Sequence, residues 1–175
     1  MKMDNYILMK YSKEIEELSK SLGFTRTLFL DRDFVLIETD KKKELLDKSN
    51  KTKLVKVFLA KSEEMLRFAL EKSKVDIVLG AEDINPKESL HFVRGGLDQI
   101  TCKIASEREK TIGFSFSSIL KSKSREKLLR RITFNAKLCK KYKVQMLFSS
   151  FARNKEELRS AKDLQIMFKS LSRYS

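Results

Sequence analysis

The sequence predicts an α/β protein on a largely parallel sheet, either an incomplete or distorted barrel or an open doubly wound sheet. Three observations lead there. Short β-rich runs alternate along the chain with segments of helical spacing. Several runs are nearly continuous in apolar residues, as in Val75-Asp76-Ile77-Val78-Leu79, which suits strands covered on both faces. The chain has 175 residues, short of the roughly 250 of a closed eight-unit barrel, so about six or seven mainly parallel strands are expected. With 5 Gly and 1 Pro, no internal repeat and no linker-like stretch, residues 1–175 read as a single α/β barrel-like domain with short loops.

The expected strands are Tyr6–Met9, Arg26–Leu30, Val35–Glu38, Leu54–Leu59, Val75–Leu79, Thr111–Phe116 and Val144–Phe148. A helix is expected at Ser12–Leu22, with Ile15, Leu18 and Leu22 on one face and Gly23 as its stop. Ser62–Lys72 has Ser62 as cap, Glu63 and Glu64 in the first turn, and an apolar stripe of Met65, Leu66, Ala69 and Leu70. Leu97–Glu107, Arg125–Lys141 and Lys162–Ser170 complete the set. Phe114 and Phe116 are assigned to the core.

Composition narrows the function. Apolar residues make up 41% of the chain, with 12 Phe, enough for a real core. No apolar run approaches the roughly 18 residues of a membrane helix, and Met1–Lys10 has no secretory pattern. A cytoplasmic protein that meets no membrane is the expectation. Cys102, Cys139 and His91 cannot make a Cys/His zinc site of the usual kind. The net charge is +14, and residues 117–159 alone carry 13 Lys/Arg against 3 Asp/Glu. A cationic block inside a folded domain is the footprint expected for a phosphate backbone. Lys41-Lys42-Lys43, Lys51 and Lys53 read instead as ordinary solvated surface.

The helix Arg125–Lys141 concentrates that charge. At 100° per residue, Leu128, Leu129, Ile132, Ala136 and Cys139 share a buried arc. Arg130, Lys137, Lys140 and Lys141 lie opposite, with Arg131 on the flank. Phe134 falls among the cations, where it could stack on a base, cover a partner protein or tuck under a neighbouring loop.

Chemistry of standard types leaves few traces. A metal-dependent phosphoesterase needs several His and Asp at strand ends, and this chain has one His. Gly95-Gly96 follows no convincing strand, which makes a phosphate-loop reading poor. Asp31, Asp33, Asp76 and Glu82/Asp83 are strand-end acids without a partner base. No catalytic or metal-ligating residue is assigned on this chain, and the composition points to a binding protein with RNA or another polyanion as partner.

Over roughly the last hundred residues an ordered set of short motifs stands out. These are Val75-Asp76-Ile77, Gly96-Leu97-Asp98-Gln99 with a helix ending Lys103-Ile104-Ala105-Ser106, and Thr111-Ile112-Gly113-Phe114-Ser115-Phe116 leading to Ile119-Leu120. Lys140-Lys141-Tyr142-Lys143-Val144, Phe148-Ser149-Ser150-Phe151-Ala152, Leu158-Arg159 and Asp163-Leu164 follow. In this order and spacing they resemble the ribonuclease P protein component 3 family. Gln99 stands where that family has His, Ala161 where it has Pro, and Phe92-Val93-Arg94-Gly95 where it has Arg-Lys-Asp-Ser. The family's terminal helices would lie beyond Ser175, so a shorter barrel is expected.

The resemblance implies a TIM-like barrel related to the polymerase and histidinol-phosphatase phosphoesterases, with the metal site lost. It implies a subunit of an endoribonuclease whose RNA does the chemistry, removing 5′ leaders from precursor tRNA. No cofactor is then expected on the protein, and Mg²⁺ is expected with the RNA. The implied partners are ribonuclease P RNA, precursor tRNA, protein component 2 and the other ribonuclease P proteins. Arg125, Lys127, Arg130, Arg131, Lys137, Lys140 and Lys141 are the expected RNA-facing set, with Lys103, Arg108, Arg153 and Arg159 in a second tier. Phe134, Ile119 and Leu120 are the candidates for a partner interface. The competing readings are another basic RNA-binding scaffold, such as a ribosome-associated protein, and an autonomous metal-dependent phosphoesterase.

Overall fold

Seven strands carry the architecture of the computed structural model, which describes residues 3–84 and 93–173. They are β1 (Asp4–Ile7), β2 (Arg26–Phe29), β3 (Phe34–Ile37), β4 (Val55–Leu59), β5 (Ile77–Leu79), β6 (Thr111–Ser115) and β7 (Gln145–Ser149). Every pairing is parallel. β3-β4-β5-β6-β7 form one sheet and β1-β2 a second. Single parallel bridges, Leu30 to Phe34 and Ile7 to Ala152, join the two. The result is a seven-stranded ring, the distorted barrel expected, with the distortion confined to two joints.

At the β2–β3 joint no helix intervenes. Asp31 turns the chain with φ 64, and the Asp33 carboxylate accepts the Phe29 N–H at 2.8 Å. At the β7–β1 joint side chains do the work of a ladder. The Ser149 hydroxyl accepts the Tyr6 N–H at 2.7 Å, the Ser150 hydroxyl donates to Asn5 Oδ1 at 2.6 Å, and Asn5 Nδ2 donates to Ser19 Oγ at 3.3 Å. Main-chain bonds from Phe151 N to Tyr6 O and from Leu8 N to Ala152 O, both 2.8 Å, finish the closure.

Seven helices among the described residues wrap the ring: α1 (Lys13–Ser21), α2 (Lys42–Lys51), α3 (Glu63–Lys72), α4 (Gln99–Glu107), α5 (Phe116–Lys121), α6 (Arg125–Lys141) and α7 (Ala161–Arg173). Two apolar layers follow from the alternation of strand side chains. Phe34, Val57, Ile77, Leu79 and Phe151 pack inside the barrel. Ile37, Phe58, Val78, Ile112, Phe114 and Phe148 face outward beneath the helices. Gly113 is needed inside, because a Cβ there would stand 2.4 Å from Leu79 Cδ2 and 3.0 Å from Ile77 Cγ2. Phe114 and Phe116 are core, as expected.

Two helices go beyond the sequence reading. α2 buries only Leu45 and Ser49, and its first residue has no side-chain cap. Thr39 replaces that cap from outside, its hydroxyl accepting the Lys41 N–H and donating to Glu44. α5 starts where the β6 run was expected to end, because Ser115 Oγ accepts the Ser118 N–H and turns strand into helix. No helix among the described residues is long and apolar enough to cross a membrane.

Candidate nucleic-acid interface

α6 spans 17 residues, about 25 Å of helix, and presents the cations. Its buried face holds Leu128, Ile132, Ala136 and Cys139 as expected, but also Arg131 and Asn135. Arg125, Lys127, Arg130, Lys137, Lys140 and Lys141 are exposed. Arg125 Nη2 donates to Leu120 O at 2.8 Å, tying it to α5. Lys140 Nζ donates to Ser172 O at 3.1 Å, satisfying a carbonyl near the end of α7. Lys141 Nζ lies 5.6 Å from the Tyr142 ring centroid. Arg130 and Lys137 have no hydrogen-bond or ion-pair partner among the described residues. They sit two turns apart, on one face and open to an anion.

Arg131 corrects the expectation that placed it on the RNA-facing flank. It is 6% exposed, with Nη1 donating to Glu82 O at 3.3 Å. The helix sinks further into the barrel side than the apolar arc alone requires, because α6 packs on the short 3₁₀ turn Ala81–Asp83. Glu82 in that turn is also buried. Burial, with a smaller push from Asp83, raises its carboxyl to about 8, so it is largely protonated at neutral pH. Its folded pKa lies above the unfolded value, so stability falls as pH rises from about 4.5 toward 8. Glu82→Gln is therefore expected to leave the melting temperature at pH 5 nearly unchanged and to raise it at pH 8.5 by roughly 5 °C or more. Equal shifts at both pH values would refute a neutral Glu82.

Phe134 takes the third of its three readings, half-buried under the 93–96 segment. A Cβ on Gly95 would stand 2.8 Å from Phe134 Cδ1 and 2.1 Å from Asn135 Oδ1, and Asn135 Nδ2 donates to Gly95 O at 2.6 Å. Ile119 is 4% exposed and belongs to the core, so it cannot serve as a surface anchor. Leu120 is half-buried against the same cluster. The partner-interface candidates are thus mainly packing residues. Their apolar character, read as interface, is spent on seating α5 and α6.

The second tier is spread out. Lys103 is exposed on α4, which packs beside α6. Arg108 caps the far end of α4, toward the side where β6 begins. Arg153 follows β7 at the opposite end of the barrel, and Arg159 Nη1 is engaged by the carbonyls of Glu156 and Leu158. Lys121, Lys123 and Lys143 extend the exposed cationic strip and were not singled out from the sequence, although all three lie in the 117–159 block. His91 and Phe92 lie outside the described residues.

The C-terminal mouth of the barrel, where barrel enzymes place their active sites, is a cavity of about 350 Å³. Its polar lining includes Asp83, Ser115, Ser118, Lys121 and Arg153, with Ser117 and Ser122, above a floor of leucines. Behind them Glu157 accepts from Ser117 Oγ at 2.6 Å, from Arg153 N at 2.8 Å and from Lys121 Nζ at 2.7 Å. Burial pushes the Glu157 carboxyl up, but Lys121, Ser117 and Arg153 N–H outweigh it and hold the pKa down to about 2. No group of three or more His, Cys, Asp or Glu able to hold a metal ion comes together among the described residues. Lys121 and Arg153 beside Asp83 suit an anion better than a divalent cation.

The chain as a whole has counterparts among known proteins. Ribonuclease P protein component 3 of Methanocaldococcus jannaschii is 29% identical over 148 residues, covering 78% of this chain. Its counterpart from Archaeoglobus fulgidus is 28% identical over 109 residues, covering 61% of this chain. The chain is similar to ribonuclease P protein component 3. It spans 58% and 49% of the length of those two relatives. A chain in a cryo-EM structure of archaeal ribonuclease P with mature tRNA superposes with a TM-score of 0.69 at 24% identity, covering 96% of this chain and 72% of that one. No family model matches the chain.

The motifs that carry the resemblance to component 3 turn out to build the barrel. Gly96 has φ +87, and a Cβ there would fall 1.8 Å from Ala81 O. Asp98 and Thr101 form a reciprocal capping box for α4. Ser149 and Ser150 close the β7–β1 joint, and Leu158 and Leu164 are buried. Gln99, at the component 3 histidine position, is exposed in the first turn of α4.

Proposed function

We propose that this chain is a protein subunit of ribonuclease P that assists the catalytic RNA in removing 5′ leaders from precursor tRNA. The observation that carries the reading is the outer face of α6, with Arg130 and Lys137 unpartnered among the described residues, on a fold shared with a chain of archaeal ribonuclease P. Folding an RNA brings phosphates together, and fixed cations replace the diffuse counterions that would otherwise neutralise them. Arg adds planar donors that can grip one phosphate twice.

The chemistry belongs on the RNA with its Mg²⁺, and this chain supplies charge, shape and a docking surface. Protein component 2 is the partner proposed to act with it, alongside the other ribonuclease P proteins. The reading is tested by titrating this chain into a transcript of the cognate RNA's catalytic domain, with and without component 2. Binding that is tighter with component 2 present, and steeply salt-dependent, is the expected result. Equal affinity for the transcript and for an unrelated duplex, unaffected by component 2, would leave only a general polyanion binder.

A further inference from the structure

The barrel mouth has a use that a backbone-binding helix does not explain. We propose that it is a binding pocket for one unpaired nucleotide, its base over the apolar floor and its phosphate at Arg153, Lys121 and the hydroxyl of Ser118. The proposal rests on the RNA-binding reading above and extends it from α6 to a second, base-accepting site.

The shape comes first. A cavity of about 350 Å³ lies at the small end of ligand sites, which run from roughly 300 to 1,000 Å³. It has room for one nucleotide and none for a duplex. Its floor is formed by the half-buried Leu8, Leu36 and Leu59, with the buried Leu79 and Phe151 beneath them, an apolar surface on which the flat face of a base is desolvated without losing hydrogen bonds. Every base has such a face, so a floor of this kind accepts an unstacked base of any identity.

The charge comes second. Lys121 is paired with Glu157 at 2.7 Å, and burial raises the Asp83 carboxyl, an effect the Arg131 guanidinium opposes, so Asp83 carries less than a full negative charge to the rim. Arg153 is exposed, and its side chain has no partner among the described residues. One positive charge is left over at the rim, which matches the single negative charge of a phosphodiester link. Ser118 Oγ also makes no hydrogen bond among the described residues and is free to donate or accept.

The backbone supplies a third observation. Phe151 sits at φ 44, a region that bulky residues rarely adopt. The Phe151 N–H bond to Tyr6 O holds it there, and its buried ring packs 5.9 Å from Tyr6 inside the barrel. This local strain turns the chain at the end of β7 so that Arg153 reaches the rim, and strain of this kind collects at ligand sites. Ser122 and Leu128 also border the cavity. A strand running along α6 past Arg125 therefore passes the mouth.

The test uses the full chain with three probes: free uridine monophosphate, a single-stranded heptaribonucleotide, and a duplex of the same length. Chemical-shift changes at Gly80, Ser118 and Phe151 amides are expected with the first two probes and not with the duplex. Arg153→Glu should weaken the single strand about tenfold and leave the duplex nearly unchanged. Ser118→Leu, which narrows the cavity without altering charge, should abolish the shifts from uridine monophosphate. Shifts from the free nucleotide alone would reassign the pocket to a free nucleotide and overturn the RNA-strand source. Equal losses for strand and duplex in Arg153→Glu, with no mouth shifts, would overturn the pocket. If neither RNA binds, the ribonuclease P reading fails by itself, and the free-nucleotide shifts still decide the pocket.

Discussion

Arg130→Glu combined with Lys137→Glu is expected to lower affinity for the catalytic RNA by about a hundredfold at low salt and to reduce the salt slope by about two. Both side chains are exposed on one face of α6 and lack partners among the described residues. Their reversal removes two cations, adds two anions and disturbs no packing. Thermal stability should stay within about 1 kcal/mol of the parent. Arg131 should behave in the opposite way. It is buried against the Ala81–Asp83 turn, so Arg131→Ala should cost stability, about 2 kcal/mol or more, while leaving the salt slope unchanged. Binding isotherms at several salt concentrations, paired with melting curves, separate the two. A double variant that binds with the parent's slope would remove α6 from the RNA interface.

Asn5→Leu is expected to be among the most destabilising single changes in the barrel, costing about 4 kcal/mol and roughly 10 °C in melting temperature. Asn5 is fully buried. Its Oδ1 accepts from Ser149 and Ser150, and its Nδ2 donates to Ser19. Leucine keeps the volume but removes the acceptor of the Ser149 and Ser150 hydroxyls and the donor to Ser19, with no water to replace those bonds. One bridge and a few main-chain bonds join β7 to β1, so the damage should concentrate there. Hydrogen exchange should accelerate at Tyr6, Leu8 and Phe151 before β4 and β5. A loss below about 1 kcal/mol would mean that the main-chain bonds close the barrel unaided.

How far the sequence could be read depended on the kind of interaction involved. Six strands were legible because parallel barrel strands are apolar on both faces, as in Phe34–Ile37 and Ile77–Leu79, whereas β1 runs over Asp4–Ile7 instead of Tyr6–Met9, since its polar Asp4 and Asn5 hid its start. α3 was legible from its cap and stripe, and α4 from its helical spacing, its Asp98 and Thr101 capping box appearing only in the structure. α2 was not, since it buries two residues and borrows its cap from Thr39 outside the helix. The ring closure was invisible, because Asn5, Ser149 and Ser150 look like ordinary surface residues until the fold brings them together across more than 140 positions. On α6 the apolar arc located the buried side but not its width, and Arg131 and Asn135 lie inside it because polar main chain at Glu82 and Gly95 awaits them. Ile119 and Phe134 were apolar for packing, which residue type alone does not distinguish from an interface.

Reconstitution of precursor-tRNA cleavage tests the central claim most directly. The cognate catalytic RNA is combined with component 2, with and without this chain, at limiting Mg²⁺. The subunit reading predicts a large rise in 5′-leader removal only when both proteins are present, and loss of that rise with Arg130→Glu and Lys137→Glu. Cleavage by this chain without the RNA, or no effect of the folded chain in any combination, would contradict it.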